Sequence, residues 1–222
     1  MDVIFDSRAK ASFQMQKDKE LIERGRDLPL LRFYEWEGFC ITTGIFIEPE
    51  KFVDLERCSE RGIEIAKRPT GGGLLFHGFD LPFTLFFPSS HPLYALPVKR
   101  ACEKINQTIL TVLSPWLLPE KGMYEAGKGE RCELCMAQKT PFDLLWSGYK
   151  IGGCAQRKTK KGLLHQVSLF FETPDWGLIS SLLCRREDFL AMQEATRSCT
   201  ECMTTAPSKK EIQLFIRERF NG

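Results

Sequence analysis

The stretch RPTGGGLLFHGFDLPFTLFF, residues 68–87, places three consecutive glycines between segments that have the composition of β-strands. GLLFH (73–77) and LPFTLFF (81–87) are rich in aromatic and aliphatic residues, and IEIAK (63–67) comes directly before the loop. Glycine permits both tight turns and the close approach of a ligand to the backbone. Two interpretations therefore stay open: a hairpin turn, or a loop that lies against a ligand with Arg68 beside it.

Strand-like segments recur on both sides of this loop, and helical patterns separate them. The further predicted strands are LRFYEW (31–36), FCITTGIF (39–46), FDLLW (142–146), YKIGG (149–153) and LLHQVSLFF (163–171). Predicted helices cover residues 11–24, 50–62 and 96–113, and a last helix begins at Ser208 with Glu211 completing a capping box. This order predicts an α+β fold with a mixed, mostly antiparallel sheet flanked by helices. We expect a single domain over residues 1–222, in which 175–222 alternatively form a small helical appendage.

Composition narrows the class of protein. The chain has 222 residues, of which 43% are hydrophobic, and 31 basic against 29 acidic side chains give a net charge of +2. This near balance gives no case for binding nucleic acid or an anionic membrane surface. The N-terminal MDVIFDSRAK lacks the pattern of a secretory leader, and no apolar run approaches the roughly 20 residues that span a bilayer. We therefore expect a cytoplasmic protein whose cysteines are reduced.

A second informative stretch is SGYKIGGCAQRK, residues 147–158. Lys150 is a single cation in a strand-like apolar run, and Gly152 and Gly153 follow it. One interpretation places Lys150 on the solvent face of an edge strand, where lysine is common. The other directs its ammonium group at an oxygen atom of a small ligand that lies over the glycines.

Four stretches, in this order, resemble the lipoate–protein ligase A and lipoyl/octanoyl transferase family: LRFYEW, RPTGGGLLFH, GYKIGGCAQRK and LLHQVSLFF. The resemblance extends from about residue 11 to residue 171. It implies a fold related to the biotin–protein ligase catalytic domain, with a tunnel for an octanoyl-length acyl chain. It also implies protein lipoylation, in which a lipoyl or octanoyl group is attached to a lysine of a lipoyl-carrier domain protein.

The resemblance implies roles for individual residues. Lys150 would be catalytic and would contact the acyl carbonyl or an acyl-adenylate. The substrate-binding residues would be Arg68, Thr70, Gly71, Gly72, Gly73, His77, Gly153, Ala155 and His165. Three positions depart from the family pattern: Gly78 replaces the usual aspartate, and Gln166 and Val167 replace the usual His-Gly. An alternative is therefore a catalytically degenerate relative that binds acyl groups or lipoyl domains.

The stretch CMAQKTPFD, residues 135–143, resembles the cysteine segment of a transferase branch of the family. Cys135 would hold the acyl group as a thioester taken from an acyl carrier protein, without ATP and without a tightly bound cofactor. Lys150 and Arg131 would stabilise its thiolate. The triplet Gly71–Gly73 is instead typical of the ligases, so the alternative activity is an ATP- and magnesium-dependent lipoate–protein ligase.

The cysteines allow one further interpretation. Cys132 and Cys135, and likewise Cys199 and Cys202, have the CxxC spacing of a four-cysteine zinc site. A zinc-stapled interaction module is therefore an alternative function. A zinc-bound Cys135 could not act as a free nucleophile, so the two hypotheses exclude each other. We favour the nucleophile and expect no metal ligands.

Overall fold

The computed structural model describes residues 1–119, 134–140 and 143–221. Its strands are β1 (Asp2–Phe5), β2 (Leu30–Phe33), β3 (Cys40–Thr43), β4 (Glu64–Lys67), β5 (Leu74–His77), β6 (Leu81–Pro88), β7 (Leu144–Trp146), β8 (Tyr149–Thr159) and β9 (Gly162–Leu169). Its α-helices are α1 (Ala11–Arg24), α2 (Leu55–Glu60), α3 (Pro92–Ala95), α4 (Val98–Leu113), α5 (Trp176–Leu182), α6 (Arg186–Ala195) and α7 (Lys209–Asn221).

The strands of the described residues form two sheets. The larger sheet has the order β1-β2-β6-β9-β8-β7, and the smaller sheet has the order β4-β3-β5. β1 runs parallel to β2 and β3 runs parallel to β4, whereas the other neighbours are antiparallel. The predicted α+β fold with mixed, mostly antiparallel sheets and flanking helices is confirmed.

Two hydrophobic clusters hold the sheets and helices together. The first lies between the larger sheet and the helices α4 and α7, and includes Phe83, Ile109, Val167 and Ile216. The second joins the smaller sheet to α5 and α6, and includes Phe76, Ile179 and Met192. Burial of each such side chain contributes about 2 kcal/mol. The tail helices therefore take part in both clusters.

Several local predictions agree with the structure, and one is wrong. α1 has the predicted bounds, and Gly25 ends it with a φ of 73°. The capping box of α7 forms, with Glu211 Oε2 accepting from Ser208 N at 2.8 Å. The predicted helix over 50–62 is interrupted, because the Asp54 side chain accepts a hydrogen bond from Arg57 N at 3.1 Å and starts α2 at Leu55.

Two further predictions concern the ends of segments. β8 runs beyond the predicted 149–153 to Thr159, because it stays paired with β9 along that length. The predicted strand 142–146 is β7, although its first position lies outside the described residues. Within the part of the chain that the structure describes, no helix has the length and apolar character needed to cross a membrane.

The glycine loop, residues 68–73, is not a hairpin turn. β4 and β5 lie on opposite sides of β3, so the loop between them passes over the end of β3. It is held there by Ile45 N, which donates to Thr70 O at 3.2 Å. Gly44 lies so close beneath that an added Cβ would be 2.0 Å from the carbonyl oxygen of Gly72. The hairpin interpretation is therefore wrong, and the loop is fixed by contact with the backbone after β3.

Candidate active site

A pocket lies between the glycine loop, β5, β8 and β9. Its volume, including the open mouth, is about 420 Å³. Apolar parts of its wall come from Met15, Tyr34, Trp36 and Leu75. Gly72, Gly153 and Ala155 also line it and carry little or no side chain. The pocket is therefore mostly apolar, and part of its wall is backbone with little or no side chain, as in sites that bind apolar ligands.

The shape of the glycine loop depends on Gly72 and Arg68. Gly72 has a φ of +89°, and a Cβ added there would lie 3.2 Å from Arg68 Nη2. Arg68 is buried and folds back over the loop, where Nη2 donates to Gly73 O at 2.7 Å and to Gly71 O at 3.2 Å. Burial lowers the pKa of this guanidinium group. Arg68 thus lies across the glycine loop on the side that lines the pocket.

Arg68 also begins a chain of buried polar contacts. Its Nη1 donates to Thr42 Oγ1 at 2.7 Å, and Thr42 Oγ1 lies 2.7 Å from His77 Nε2. The other ring nitrogen of His77, Nδ1, lies 2.7 Å from Asp80 Oδ2. Because Thr42 accepts from Arg68, its own proton is available for Nε2, which leaves the Nδ1 proton for Asp80. These contacts fix both the orientation of His77 and the position of its proton.

Asp80 supplies the carboxylate that Gly78 lacks. It accepts hydrogen bonds from Ser168 Oγ at 2.7 Å and from Gly78 N at 3.1 Å. Burial acts to raise the pKa of Asp80, but its interactions with His77, together with these donors, hold it below its ordinary value. The sequence reasoning missed Asp80; its position three residues after His77, just before β6, is the signal that could have found it.

Gln166, another departure from the family pattern, connects the glycine loop to α1. Thr70 Oγ1 donates to Gln166 Oε1 at 2.6 Å, and Gln166 Nε2 donates to Asp18 Oδ2 at 2.7 Å. Burial raises the pKa of Asp18, although Arg32, which lies 2.8 Å away, opposes the shift. Val167, the adjacent departure, lines the pocket. Gln166 therefore stabilises the loop in this chain.

Lys150 is buried beneath the pocket wall and is only 1% exposed, so the solvent-facing interpretation is wrong. Its Nζ donates to Cys135 O and, at 3.0 Å, to Gln138 O, and it forms an ion pair with Asp143 Oδ1 at 2.8 Å. These three partners match the three protons of an ammonium group. Burial acts to lower the pKa of Lys150, but Cys135 and Asp143 outweigh it and raise the pKa.

The Cys135 thiol lies at the pocket wall beside this ammonium group. Its Sγ is 3.6 Å from Lys150 Nζ, and its backbone N donates to Leu74 O at 3.0 Å. A Cβ added to Gly153 would lie 3.5 Å from Cys135 Sγ and 3.6 Å from Lys150 Cε. The thiol, the ammonium and a bare stretch of backbone therefore meet at one point. Arg131, the other predicted cation, lies outside the described residues.

His165 is not among the described residues that line the pocket. It is fully buried, and its Nδ1 lies 2.6 Å from Gln156 Nε2. Burial lowers the pKa of His165 to about 3, so its ring is neutral near neutral pH. His165 lies on β9 opposite Gln156 of β8, on the face of the sheet that α4 covers.

The two CxxC pairs do not form a metal-binding group among the described residues. Cys132 lies outside them. Cys135 packs beside the second hydrophobic cluster, whereas Cys199 and Cys202 belong to the first. Cys199 Sγ donates to Ile151 O at 3.5 Å instead. The described cysteines of the two pairs therefore do not come together as a group of metal ligands.

Comparison with known proteins assigns the family. Residues 10–207 match the family described as "Lipoyl protein ligase A/B catalytic domain". The octanoyltransferase LipM of Staphylococcus aureus is 27% identical over 196 residues, which cover 82% of this chain and 70% of the relative. The octanoyltransferase LipM of Geobacillus kaustophilus is 28% identical over 76% of this chain and 64% of the relative. The chain thus spans about two thirds of the length of these relatives.

Solved structures show the same fold. A bi-partite lipoate protein ligase from Thermoplasma acidophilum is 20% identical with a TM-score of 0.76, covering 99% of this chain and 82% of that one. Lipoate-protein ligase A bound with ATP is 21% identical with a TM-score of 0.76, covering 99% and 83%. A biotin protein ligase from Aquifex aeolicus has a TM-score of 0.52 at 9% identity, covering 99% and 68%. The chain belongs to the lipoyl protein ligase A/B catalytic domain family.

Proposed function

We propose that this chain is an octanoyltransferase of protein lipoylation. It takes an octanoyl group from the thioester of an acyl carrier protein and passes it, through a thioester on Cys135, to a lysine of a lipoyl domain. The observation that carries the proposal is the position of Cys135 Sγ, at the pocket wall and 3.6 Å from Lys150 Nζ. The similarity to relatives named octanoyltransferases supports it.

The first transfer exchanges one thioester for another. The Cys135 thiolate attacks the carbonyl carbon of the donor, a new carbon–sulfur bond forms, and the bond to the carrier sulfur breaks. The carrier leaves as a thiolate and takes up a proton. Because the bond formed and the bond broken are of the same kind, the step needs no ATP. The Lys150 ammonium stabilises the attacking thiolate, since an adjacent cation favours the charged form of a thiol.

The second transfer forms an amide. The amine of the lipoyl-domain lysine, having lost its proton to solvent, attacks the carbonyl carbon of the Cys135 thioester. The carbon–sulfur bond breaks, the Cys135 thiolate is regenerated beside Lys150, and the nitrogen loses its second proton. Gly72, Gly153 and Ala155 leave space for the acyl chain during both steps. The reaction needs a reduced thiol, which fits a cytoplasmic location.

An ATP-dependent lipoate–protein ligase is the second candidate. The glycine triplet favours it, and a lipoate-protein ligase solved with ATP has the same fold. Lys150 would then hold an acyl-adenylate, and Cys135 would have no covalent role. A catalytically degenerate relative is a weaker alternative, because Asp80 replaces the missing carboxylate and Gln166 is hydrogen bonded within the site.

Intact-mass measurement tests the proposal. The chain is incubated with octanoyl-carrier protein in the absence of ATP. We expect one octanoyl adduct per chain, removed by hydroxylamine, and no such adduct on Cys135→Ser. The control is Cys184→Ser, because Cys184 is an exposed free cysteine away from the pocket. An adduct that persists in Cys135→Ser would contradict the proposal. Lipoylation by Cys135→Ser with lipoate, ATP and magnesium would identify a ligase.

A further inference from the structure

Three metal-ligating side chains meet on the face of the larger sheet that α4 covers. They are Cys102 on α4, Cys154 on β8 and His165 on β9, and one ligand atom from each lies within 4.8 Å of the others. The two sulfur atoms are 3.2 Å apart. Cys154 also lines the pocket, beside Gly153 and Ala155 of the same strand. The group nevertheless shares no residue with the Cys135–Lys150 pair.

The environment of His165 indicates that this group is a ligand-binding site. Its side chain is fully buried, and its Nε2 has no hydrogen-bond partner among the described residues. A buried polar atom without a partner destabilises the fold, so such atoms normally have a reason to be there. A metal ion bound by Nε2 would remove this destabilisation.

Gln156 can fix which ring nitrogen of His165 carries the proton. Its amide lies 2.6 Å from Nδ1, and its own Oε1 is buried without a partner among the described residues. Turning the amide presents Oε1 to Nδ1, which then carries the proton of the ring. The lone pair of Nε2 is thereby left for a metal. Hydrogen bonding of the second ring nitrogen in this way is the usual arrangement around metal-bound histidine.

Asn106 contacts both sulfur atoms of the group. It lies one helical turn after Cys102 on α4, and its Nδ2 is 3.7 Å from Cys102 Sγ and 3.5 Å from Cys154 Sγ. An amide that donates to two sulfur atoms at once stabilises them as thiolates, the form that binds metal.

We propose that Cys102, Cys154 and His165 bind a zinc ion. Two thiolates and one imidazole form a ligand set that suits zinc, and three protein ligands leave one coordination position open. Binding releases the two thiol protons. An opening lined by Cys102, Cys154, Gly71 and Gly72 gives solvent a route to the site. The ion would tie α4 to β8 directly behind the pocket wall. Sequence patterns do not predict this site, because its ligands come from three separate elements.

Cobalt titration tests the proposal on the reduced, metal-free full chain. We expect about one Co²⁺ per chain, with the near-ultraviolet absorption of thiolate-bound cobalt, and displacement of the cobalt by Zn²⁺. Cys102→Ser and His165→Gln should each weaken binding at least tenfold. Cys184→Ser is the matched control, since it removes an exposed thiol elsewhere. Cys199→Ser tests a site at the CxxC pairs and should leave the absorption unchanged.

A second measurement covers variants that fail to fold. X-ray absorption spectroscopy of the zinc-loaded wild-type chain should show two sulfur atoms and one imidazole nitrogen around the ion. Absence of cobalt absorption in the reduced wild-type chain would overturn the proposal. So would loss of the absorption in Cys199→Ser with retention in Cys102→Ser. A chain about 2 Da lighter, restored by reductant and unable to bind metal once reduced, would indicate a Cys102–Cys154 disulfide instead.

Discussion

The two pocket walls that meet beside Cys135 are held in different ways. The glycine loop, residues 68–73, is fixed by several contacts from separate elements: two backbone hydrogen bonds from the residues after β3, the Arg68 guanidinium, and the Thr70–Gln166 bond. The cysteine segment, residues 134–140, is held by Cys135 N, which donates to Leu74 O, by Thr196 Oγ1, which donates to Met136 O, and by one buried cation. That cation is Lys150, whose Nζ donates to the carbonyl oxygens of Cys135 and Gln138 in this segment.

This difference separates the roles of the two walls. A wall with many independent contacts keeps its shape when one contact is lost, so it suits the fixed boundary of an acyl-binding pocket. A segment in which one ammonium group bonds two carbonyl oxygens couples the position of Cys135 to the charge beside it. Lys150 therefore acts on Cys135 in two ways, as a nearby cation and as the anchor of its backbone. Substitutions in the two walls should have correspondingly different effects.

Lys150→Ala should have the largest effect. It removes the cation beside Cys135, so we expect transfer to fall about a hundredfold or more. It also leaves Asp143, with a side chain only 5% exposed, without its ammonium partner, which should cost about 3 kcal/mol of unfolding free energy. Transfer assays and urea unfolding measure the two effects. Unchanged transfer would contradict the assigned role.

Two variants sharpen this result. Lys158→Ala is the matched control, since Lys158 lies on the same strand and bonds the carbonyl oxygens of Tyr94 and Leu96 at the surface. It should behave like the wild type. Adding Asp143→Leu to Lys150→Ala should recover part of the lost stability, because no buried charge is left unpaired, but should not recover transfer. Recovery of both would mean that Lys150 serves stability alone.

Gly72→Ala should have an intermediate effect on transfer. A residue with a side chain pays about 1 kcal/mol at positive φ, and the new methyl group would meet Arg68 Nη2 at 3.2 Å. We expect kcat/KM for the octanoyl donor to fall about tenfold. Gly71→Ala is the control, because no atom lies within 4 Å of a Cβ at that position. Equal effects of the two substitutions would contradict the proposed shape of the pocket.

Asp80→Asn should have a smaller effect on transfer but a visible effect on acid stability. The folded-state pKa of Asp80 lies below its ordinary value of 3.8, so the stabilisation from its charge is complete above about pH 4 and is lost as the pH falls through the folded pKa. Asp80→Asn should lower the unfolding free energy near pH 7 by about 3 kcal/mol and flatten its decline below pH 4. Urea unfolding at several pH values measures this, with the exposed Asp27→Asn as control.

The sequence predicts the family, the fold class and the approximate position of the pocket. Local signals account for this: Gly25 ends α1, Ser208 and Glu211 cap α7, and the apolar composition of β6 and β9 is typical of strands. The order of the family motifs predicts that the stretches around Gly72 and Lys150 lie close together, and both stretches contribute to the pocket. The attachment of octanoyl or lipoyl groups is supported by the named relatives.

Other parts of the site depend on contacts between distant segments. Asp80 supplies a carboxylate to His77 only once β5 and β6 are in place. The order β4-β3-β5, which excludes a hairpin at the glycine loop, is set by the pairing of whole strands and has no local signal. The complete burial of Lys150 could not be predicted either, because the partner that allows it, Asp143, lies seven residues earlier in the chain.

The most direct test of the central claim follows the acyl group after Cys135 has been loaded. The octanoylated chain is isolated, freed of donor and ATP, and mixed with a lipoyl domain, and the masses of both proteins are followed in time. The account predicts that octanoyl leaves the chain and appears on the lipoyl lysine at equal rates, at least as fast as overall turnover. Hydrolysis of the adduct without transfer, or transfer that requires ATP, would contradict it.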